Sequence, residues 1–318
     1  MSVRKRELAR MIEALGKLSQ AERKMVVAEM TAVDGRASSV AVIENRVLVR
    51  RDCPHCASRQ VVKNGHADGL QRFKCRSCTK SFNALTGTSL SHLHQRGKWL
   101  GQASALRDGL VLREVANRLN IALSTAHRWR HRFLAVPRTV QARALMGIAE
   151  ADESYFLRSC KGQRKGLGRA PRKRGGTAKQ RGHGHEQVPV LIARDRIGST
   201  ANFVLETATA SSIGVLLRPI LPADTVLCTD GSSTLAAVAR SLGVEHHPIN
   251  LTAGVRVMGA WHVQNVNAFA SRLRGWLCRF KGVATKYLAN YLGWFRALDR
   301  SPDFGPEPAA LLALAIRS

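Results

Sequence analysis

Two pairs of cysteines with identical spacing constrain the N-terminal part of this sequence more than any other feature. Cys53 and Cys56 form one CxxC pair, and Cys75 and Cys78 form the second. Two intervening residues allow both sulfurs of a pair to face one ion, so the two pairs supply four thiolates to a tetrahedral metal. Four thiolates leave no open coordination position, which is typical of structural zinc. The spacing therefore predicts a zinc ribbon over residues 46–90.

The charge of the chain points to a polyanionic partner. Its 318 residues include 50 Lys and Arg against 22 Asp and Glu, a net charge of +28, which favours nucleic acid. No run of about 18 apolar residues is present to span a membrane, and the charged start does not resemble a secretory signal. Cys160, Cys228 and Cys278 lack a partner spacing, and seven cysteines in all suit a reducing compartment. We therefore expect a cytoplasmic, nucleoid-associated protein that binds DNA and no membrane.

Helical periodicity marks two regions before residue 140. Residues 1–45 read as a leader of two short helices, the second starting at Ser19 with Glu22 three residues later, a capping-box pattern. Residues 91–138 contain LREVANRLNIALSTAHRWRHRF, which predicts a DNA-binding helix-turn-helix, although an ordinary helical hairpin fits the same pattern. Trp129 and Phe133 are expected to face the core. The second helix is expected to display Thr125, His127, Arg128, Arg130 and His131.

A basic, glycine-rich segment covers residues 158–186. From Arg158 to His185 it has ten Lys or Arg, seven Gly and no acidic residue. Such a composition buries too little apolar surface to order itself, so the segment is either a solubilising loop or an arm that binds DNA phosphates. We favour the arm because of the overall charge. Its strongest candidates are Arg169, Arg172, Lys173 and Arg174.

Two aspartates end β-like runs in the region 144–300, where short strand-like and helical runs alternate. Asp152 lies in EADESYF, and Asp230 lies in TVLCTDG. Acids at the ends of adjacent strands can share divalent cations, and paired cations support in-line displacement at phosphorus. A single Asp in such a place is more often a helix cap or a turn residue, so the pair is the informative feature.

The chain from about residue 50 to 298 resembles the insertion-sequence transposases of the DDE superfamily. The resemblance is to the branch with an N-terminal zinc ribbon before an RNase H-like (ISXO2-like) domain. It rests on CPHC…CRSC, EADESYF, the basic segment, CTDG, HVQNVN, RLRGWL and GVATKYLANYLGW. It implies an α/β fold, an RNase H-like mixed sheet with flanking helices, preceded by the zinc ribbon and the helix-turn-helix, with residues 301–318 as a C-terminal tail.

The resemblance also implies the catalytic residues and their ions. Asp152 matches the first acid, Asp230 matches the second, and Asn267 falls where the superfamily usually has Glu. Arg274, two helical turns after Asn267, stands where the family often has Lys and would hold a DNA phosphate. The resemblance implies that Asp152, Asp230 and Asn267 hold two catalytic Mg²⁺ ions, separate from the structural Zn²⁺.

Three further residues near this set have less certain roles. Alternation along a strand places Glu150 on the same side as Asp152 and Glu153 on the other, so Glu150 is the better candidate for an accessory ligand. His262 lies near the site with no assigned role.

The function expected is transposition, in which the protein binds the ends of its element, cleaves them and joins them to target DNA. A homo-oligomer is expected in the DNA complex. The alternatives are a non-catalytic DNA-binding regulator, which Asn267 keeps open, and a metal-dependent nuclease without strand transfer.

Overall fold

The fold was analysed in a computed structural model that describes residues 5–49, 52–163, 166, 176, 178, 184–250, 253–300 and 306–317. The helices are α1 (Lys5–Gly16), α2 (Gln20–Val49), α3 (Trp99–Arg107), α4 (Leu112–Leu119), α5 (Leu123–Phe133), α6 (Ala210–Leu217), α7 (Ser233–Leu242), α8 (Gln264–Cys278), α9 (Leu288–Asp299) and α10 (Pro308–Ala315). The strands are β1 (Val61–Ala67), β2 (Leu70–Cys75), β3 (Ser81–Asn83), β4 (Ile148–Leu157), β5 (Gln187–Asp195), β6 (Thr200–Val204), β7 (Val226–Thr229), β8 (Glu245–Pro248), β9 (Val257–Met258) and β10 (Trp261–His262). Short 3₁₀ turns cover Arg96–Lys98 and Thr285–Tyr287.

The chain forms two compact units. The first consists of Met1–Asp108, Val115–Ala122 and Glu307–Ser318, and the second of Gly109–Glu114 and Leu123–Pro306. Consequently α5 belongs to the second unit, whereas most of α4 belongs to the first. None of the described helices is long and apolar enough to cross a membrane.

The first unit combines helices with the small sheet β1-β2-β3. As expected, the leader forms two helices, and the capping box is present: Ser19 N–H donates to Glu22 (2.8 Å) and Glu22 N–H donates to Ser19 Oγ (3.3 Å). The second helix is longer than predicted, since α2 runs for 30 residues. Part of the predicted tail is also helical, because α10 packs against α3 and α2 and buries Leu311 and Leu312.

The second unit is built on a five-stranded mixed sheet in the order β6-β5-β4-β7-β8. β4, β5 and β6 form antiparallel neighbours, whereas β7 and β8 run parallel to β4. The prediction of an RNase H-like mixed sheet with flanking helices is confirmed.

The two faces of β4 carry different residues because successive side chains alternate. Ala149 and Ala151 are fully buried in a core with α6 and α7, which includes Ile213, Leu217 and Leu235. Glu150 and Asp152 face the other side, where α8 packs against β4 and β5. The polar residues of β4 are therefore directed at the helix that carries Asn267 and Arg274.

Candidate active site and metal centre

Asp152 and Asp230 lie next to each other where β7 ends beside the middle of β4, so Asp152 does not end its strand as the sequence suggested. β4 and β7 pair in parallel register with Ala151 opposite Thr229. The residue that follows Ala151 is Asp152, and the residue that follows Thr229 is Asp230. Beyond Asp230 the chain turns at Gly231, whose φ of +86° favours glycine. Asp230 Oδ1 accepts the N–H of Ser232 (3.0 Å), which caps α7. The register thus brings together two acids that are 78 residues apart in the sequence.

The electrostatics of this site favour a bound cation. Burial, together with the negative charge of Asp230, raises the pKa of Asp152 to about 6, although Arg274 opposes the shift. Burial, Asp152 and Asp230 together raise the pKa of Glu153 to about 7. Glu153 also has a buried Oε1 without a hydrogen-bond partner in the described part of the chain. Oxygen donors with uncompensated negative charge fit a hard divalent cation.

Glu150 lies on the expected face of β4, but its contacts differ from those expected of a metal ligand. Its side chain is fully buried, and both carboxylate oxygens already have donors: Asn265 Nδ2 at 2.9 Å and the backbone N–H of Val266 at 2.8 Å. Arg196 Nη1 adds an ion pair at 2.9 Å. These protein donors compete with a cation for the carboxylate oxygens, so the contacts of Glu150 do not favour the expected role of accessory ligand. Alternation correctly gave its side of the strand but could not reveal its partners.

α8 carries the two remaining candidates on its exposed face. Its apolar stripe, which includes Val266, Phe269 and Leu273, is buried, whereas Asn267 and Arg274 are exposed. Arg274 is close enough to lower the pKa of Asp152. Asn267 lines a pocket together with Arg256, Val263 and Gln264. The helix therefore presents an amide and a guanidinium on its exposed face.

The four cysteines of the first unit converge as the spacing predicted. Their sulfur atoms all lie within 4.8 Å of one another, with Cys53 and Cys78 at 3.7 Å and Cys56 and Cys75 at 3.6 Å. Sulfurs at about 2.3 Å from a tetrahedral zinc ion are separated by roughly this distance. Ala57 and Thr79, each directly after a CxxC pair, have φ of +58° and +60°, so both knuckles turn in the same way. Phe73 and Phe82 stack beneath the site (5.6 Å between centroids). These residues can hold a structural zinc ion.

Known proteins resemble this chain, and the matched family model covers much of the second unit. The model of the ISXO2-like transposase domain family matches residues 144–296. A protein in transposable element ISH50 of Halobacterium salinarum is 27% identical over 249 residues, which is 77% of this chain and 83% of that protein. Residues 144–296, just under half of the chain, are thus similar to the ISXO2-like transposase domain. The resemblance drawn from the motifs is thereby confirmed.

Solved structures show only distant similarity to the chain that carries this transposase domain. A simian T-cell lymphotropic virus intasome in complex with the PP2A regulatory subunit B56 gamma has a chain that is 12% identical, with a TM-score of 0.29 over 64% of this chain and 76% of that one. A pre-cleavage Mos1 transpososome is 12% identical, with a TM-score of 0.22 over 69% of this chain and 79% of that one. These TM-scores are too low to define the fold, which rests on the strand order of the second unit.

The helix before the transposase domain differs from its prediction at one arginine. Arg130 was expected to be displayed but is 2% exposed. Its guanidinium lies over Phe280 and Trp294 (5.6 and 5.1 Å to the ring centroids) and donates to Tyr291 and to the carbonyl of Leu110. The prediction was wrong because Phe280, just after α8, and Trp294 of α9 attract a cation into the core of the unit.

The other predicted residues of α5 vary in exposure. Arg128 is exposed, whereas Thr125 and His127 are half-buried. His131 is also half-buried, stacks on Tyr287 (3.7 Å, 17°) and hydrogen-bonds to Asn290 (3.1 Å). Desolvation lowers the pKa of His131 to about 4. Among the residues of α5 predicted to contact DNA, Arg128 thus has the most exposed charged side chain. The four candidates of the basic segment, Arg169, Arg172, Lys173 and Arg174, lie outside the described residues.

Proposed function

We propose that this protein is the transposase of an insertion sequence, which binds the element's ends and catalyses metal-dependent DNA cleavage and strand transfer. One observation carries the proposal: the parallel register of β4 and β7 sets Asp152 beside Asp230, with Arg274 of α8 in electrostatic reach. The transposase family of residues 144–296 supports the same conclusion.

The candidate residues divide the chemistry as follows. Asp152, Asp230 and Asn267 would hold divalent cations, for which we propose two Mg²⁺ ions. When bound, these ions would activate the attacking hydroxyl and stabilise charge on the phosphate. Arg274 holds the scissile phosphate next to Asp152 through paired N–H donors. A water oxygen bonds to phosphorus as the bond to the 3′ oxygen breaks. The freed 3′-OH then bonds to a phosphorus of target DNA as the bond from that phosphorus to the target's own 3′ oxygen breaks.

DNA recognition would come from the residues outside this site. We propose that the zinc ribbon and the predicted helix-turn-helix of residues 91–138 read the element ends, with Arg128 of α5 contacting DNA. The basic segment of residues 158–186 would bind phosphates. The proposed setting is the cytoplasm, on the nucleoid, with a homo-oligomer bridging two ends.

The test uses purified protein, a labelled duplex of an element end and a target plasmid, with Mg²⁺ or EDTA. Joined product that requires Mg²⁺ and disappears in Asp152→Ala and Asp230→Ala supports the transposase. Cleavage without joining identifies a nuclease instead.

Asn267 favours one other candidate, a non-catalytic regulator, because an amide brings no charge to a cation site. Binding of the duplex with neither cleavage nor joining, unchanged by Asp152→Ala, would establish that function and overturn the transposase. Asn267→Glu addresses the same residue: in a transposase we expect it to lower the Mg²⁺ concentration that gives half-maximal cleavage.

A further inference from the structure

The first turn of α8 takes its cap from a strand of the sheet. The residue before the helix is Val263, which has no side-chain acceptor for the free N–H groups that begin every helix. Glu150 of β4 supplies one instead: its Oε2 accepts the N–H of Val266 (2.8 Å) and its Oε1 accepts Nδ2 of Asn265 (2.9 Å). A carboxylate at this position also interacts favourably with the positive end of the helix dipole.

Two more side chains complete this buried group. Arg196, in the turn after β5, pairs with Glu150 Oε1 (2.9 Å) and donates to the carbonyl of Ala260 (3.0 Å). It also reaches Nδ1 of His262 (2.9 Å), and that nitrogen accepts the N–H of Gln264 (3.2 Å). Glu150, Arg196 and His262, which we call the α8 clamp, therefore hold the start of α8 from both sides.

The position of the α8 clamp connects it to the candidate active site. Glu150 lies two residues before Asp152 on the same face of β4, and Val266 is directly followed by Asn267. A shift of the first turn of α8 would therefore move Asn267, and two turns later Arg274, relative to Asp152. Displacements of about 1 Å at such groups can reduce a rate by roughly a hundredfold.

We propose that Glu150 is a positioning residue that fixes Asn267 and Arg274 relative to Asp152 through the α8 clamp. The proposal rests on the proposed transposase function. Glu150 contacts neither DNA nor the reacting atoms in this role. It acts through the first turn of α8, and Arg196 balances its buried charge.

Glu150→Gln tests the proposal because it preserves size while replacing one acceptor oxygen by a donor that faces Asn265, Val266 or Arg196. We expect amide hydrogen exchange at Val266 to become about tenfold faster. We also expect single-turnover cleavage of the end duplex to fall at least about tenfold, with the Kd for that duplex unchanged and more Mg²⁺ needed for half-maximal rate. A residue that only supports overall stability would not move the Mg²⁺ requirement.

Asp299→Asn is the matched control in the same unit. Asp299 is also a nearly buried carboxylate, with its side chain 10% exposed, and it pairs at 2.7 Å with Arg194 of β5 and with Arg272 in the third turn of α8, so it does not contact the first turn that the α8 clamp holds. We expect Asp299→Asn to reduce stability while leaving exchange at Val266 and the Mg²⁺ requirement at wild-type values.

The outcomes separate the two proposals. Equal losses of cleavage in Glu150→Gln and Asp299→Asn at equal loss of stability, or unchanged exchange at Val266, would overturn the positioning role. Should Glu150→Gln not fold, Asn265→Ala decides with the same measurements, since it removes one bond of the α8 clamp and no charge. A wild-type protein that never cleaves would overturn the transposase function. Hydrogen exchange at Val266 in Glu150→Gln would still test whether Glu150 fixes the first turn of α8.

Discussion

Burial and the negative charge of Asp230 oppose the ionisation of Asp152, and this has a consequence for stability in the absence of metal. The pKa of Asp152 rises from 3.8 to about 6 in the folded protein. A carboxyl with a raised pKa contributes stability below its unfolded pKa and loses that contribution as the pH rises through the folded value. At pH 7.5 in EDTA, the charged Asp152 therefore destabilises the fold.

We accordingly expect Asp152→Asn to be more stable than the wild-type protein at pH 7.5 in EDTA, by about 1–3 kcal/mol. The difference should shrink towards pH 4, where Asp152 is protonated. Urea unfolding at several pH values measures it. Mg²⁺ should stabilise the wild-type protein more than the variant, because bound cations favour the state that holds them. A variant that is less stable at pH 7.5 would refute the electrostatic argument.

The sequence predicted the positions of some residues of the candidate site but not the partners of others. Asp230 was predictable because a strand end followed by a turn directs an acid to a sheet edge, whereas Asp152 lies in the middle of β4 and was identified by the resemblance. The roles of Glu150 and Glu153 were not, since alternation gives a face but not the helix that meets it or the charge of a neighbouring strand. Arg130 was misplaced because its residue type suggests exposure, whereas its aromatic neighbours come from residues 280–294.

Variants of two arginines on α5 distinguish a role in DNA contact from a role in packing. Arg128→Ala removes an exposed charge, so we expect weaker binding to the end duplex with an unchanged melting temperature. Arg130→Ala removes a buried cation and its hydrogen bonds, so we expect a loss of about 2–4 kcal/mol in unfolding free energy. Fluorescence anisotropy and thermal unfolding provide the two measurements. The assignment fails if Arg130→Ala leaves stability unchanged, or if Arg128→Ala unfolds the protein without affecting the affinity.

The zinc ribbon depends on its four thiolates because its own apolar core is small. Cys53, Cys75 and Phe82 are its buried centre, with only Val61, Phe73 and Cys78 packed against them. We expect Cys53→Ser to lose the bound zinc and most of the affinity for the end duplex. Cys278→Ser, which changes an exposed cysteine of the second unit, should retain both. Zinc content by atomic spectroscopy, together with anisotropy, checks this. Full zinc content in Cys53→Ser would rule out the four-thiolate site.

The larger elements were predictable to different degrees for physical reasons. The alternation of strand-like and helical runs in residues 144–300 indicated an α/β domain because strand and helix periods differ, whereas the mixed sheet was implied by the resemblance. The order of its strands was not predicted, because pairing is a long-range property. The packing of α10 against α3 joins residues more than 200 positions apart, and no local pattern could have shown it. The single 30-residue α2 was also underestimated, since Gly35 within it suggests a break.

Across the whole molecule, the charge of +28 makes DNA binding depend on salt. Each phosphate contact releases counterions, so the logarithm of the binding constant falls with the logarithm of salt concentration by about 0.9 per contact. If the basic segment is an arm that binds phosphates, replacing Arg169, Arg172, Lys173 and Arg174 by Gln should make that slope shallower by about 3–4. Titrations of the end duplex at several NaCl concentrations measure it.

A matched control distinguishes a local arm from a general charge effect. Gln at Arg10, Arg218, Arg240 and Arg317, all exposed, lowers the net charge by the same four units, from +28 to +24. These positions are scattered over the chain, so we expect a slope change of less than about 1. Equal changes in both variants would mean that the segment acts only through the net charge of the protein, as a solubilising loop would. A change confined to the first variant would assign about four phosphate contacts to residues 169–174, because each lost contact removes a fixed increment of the slope.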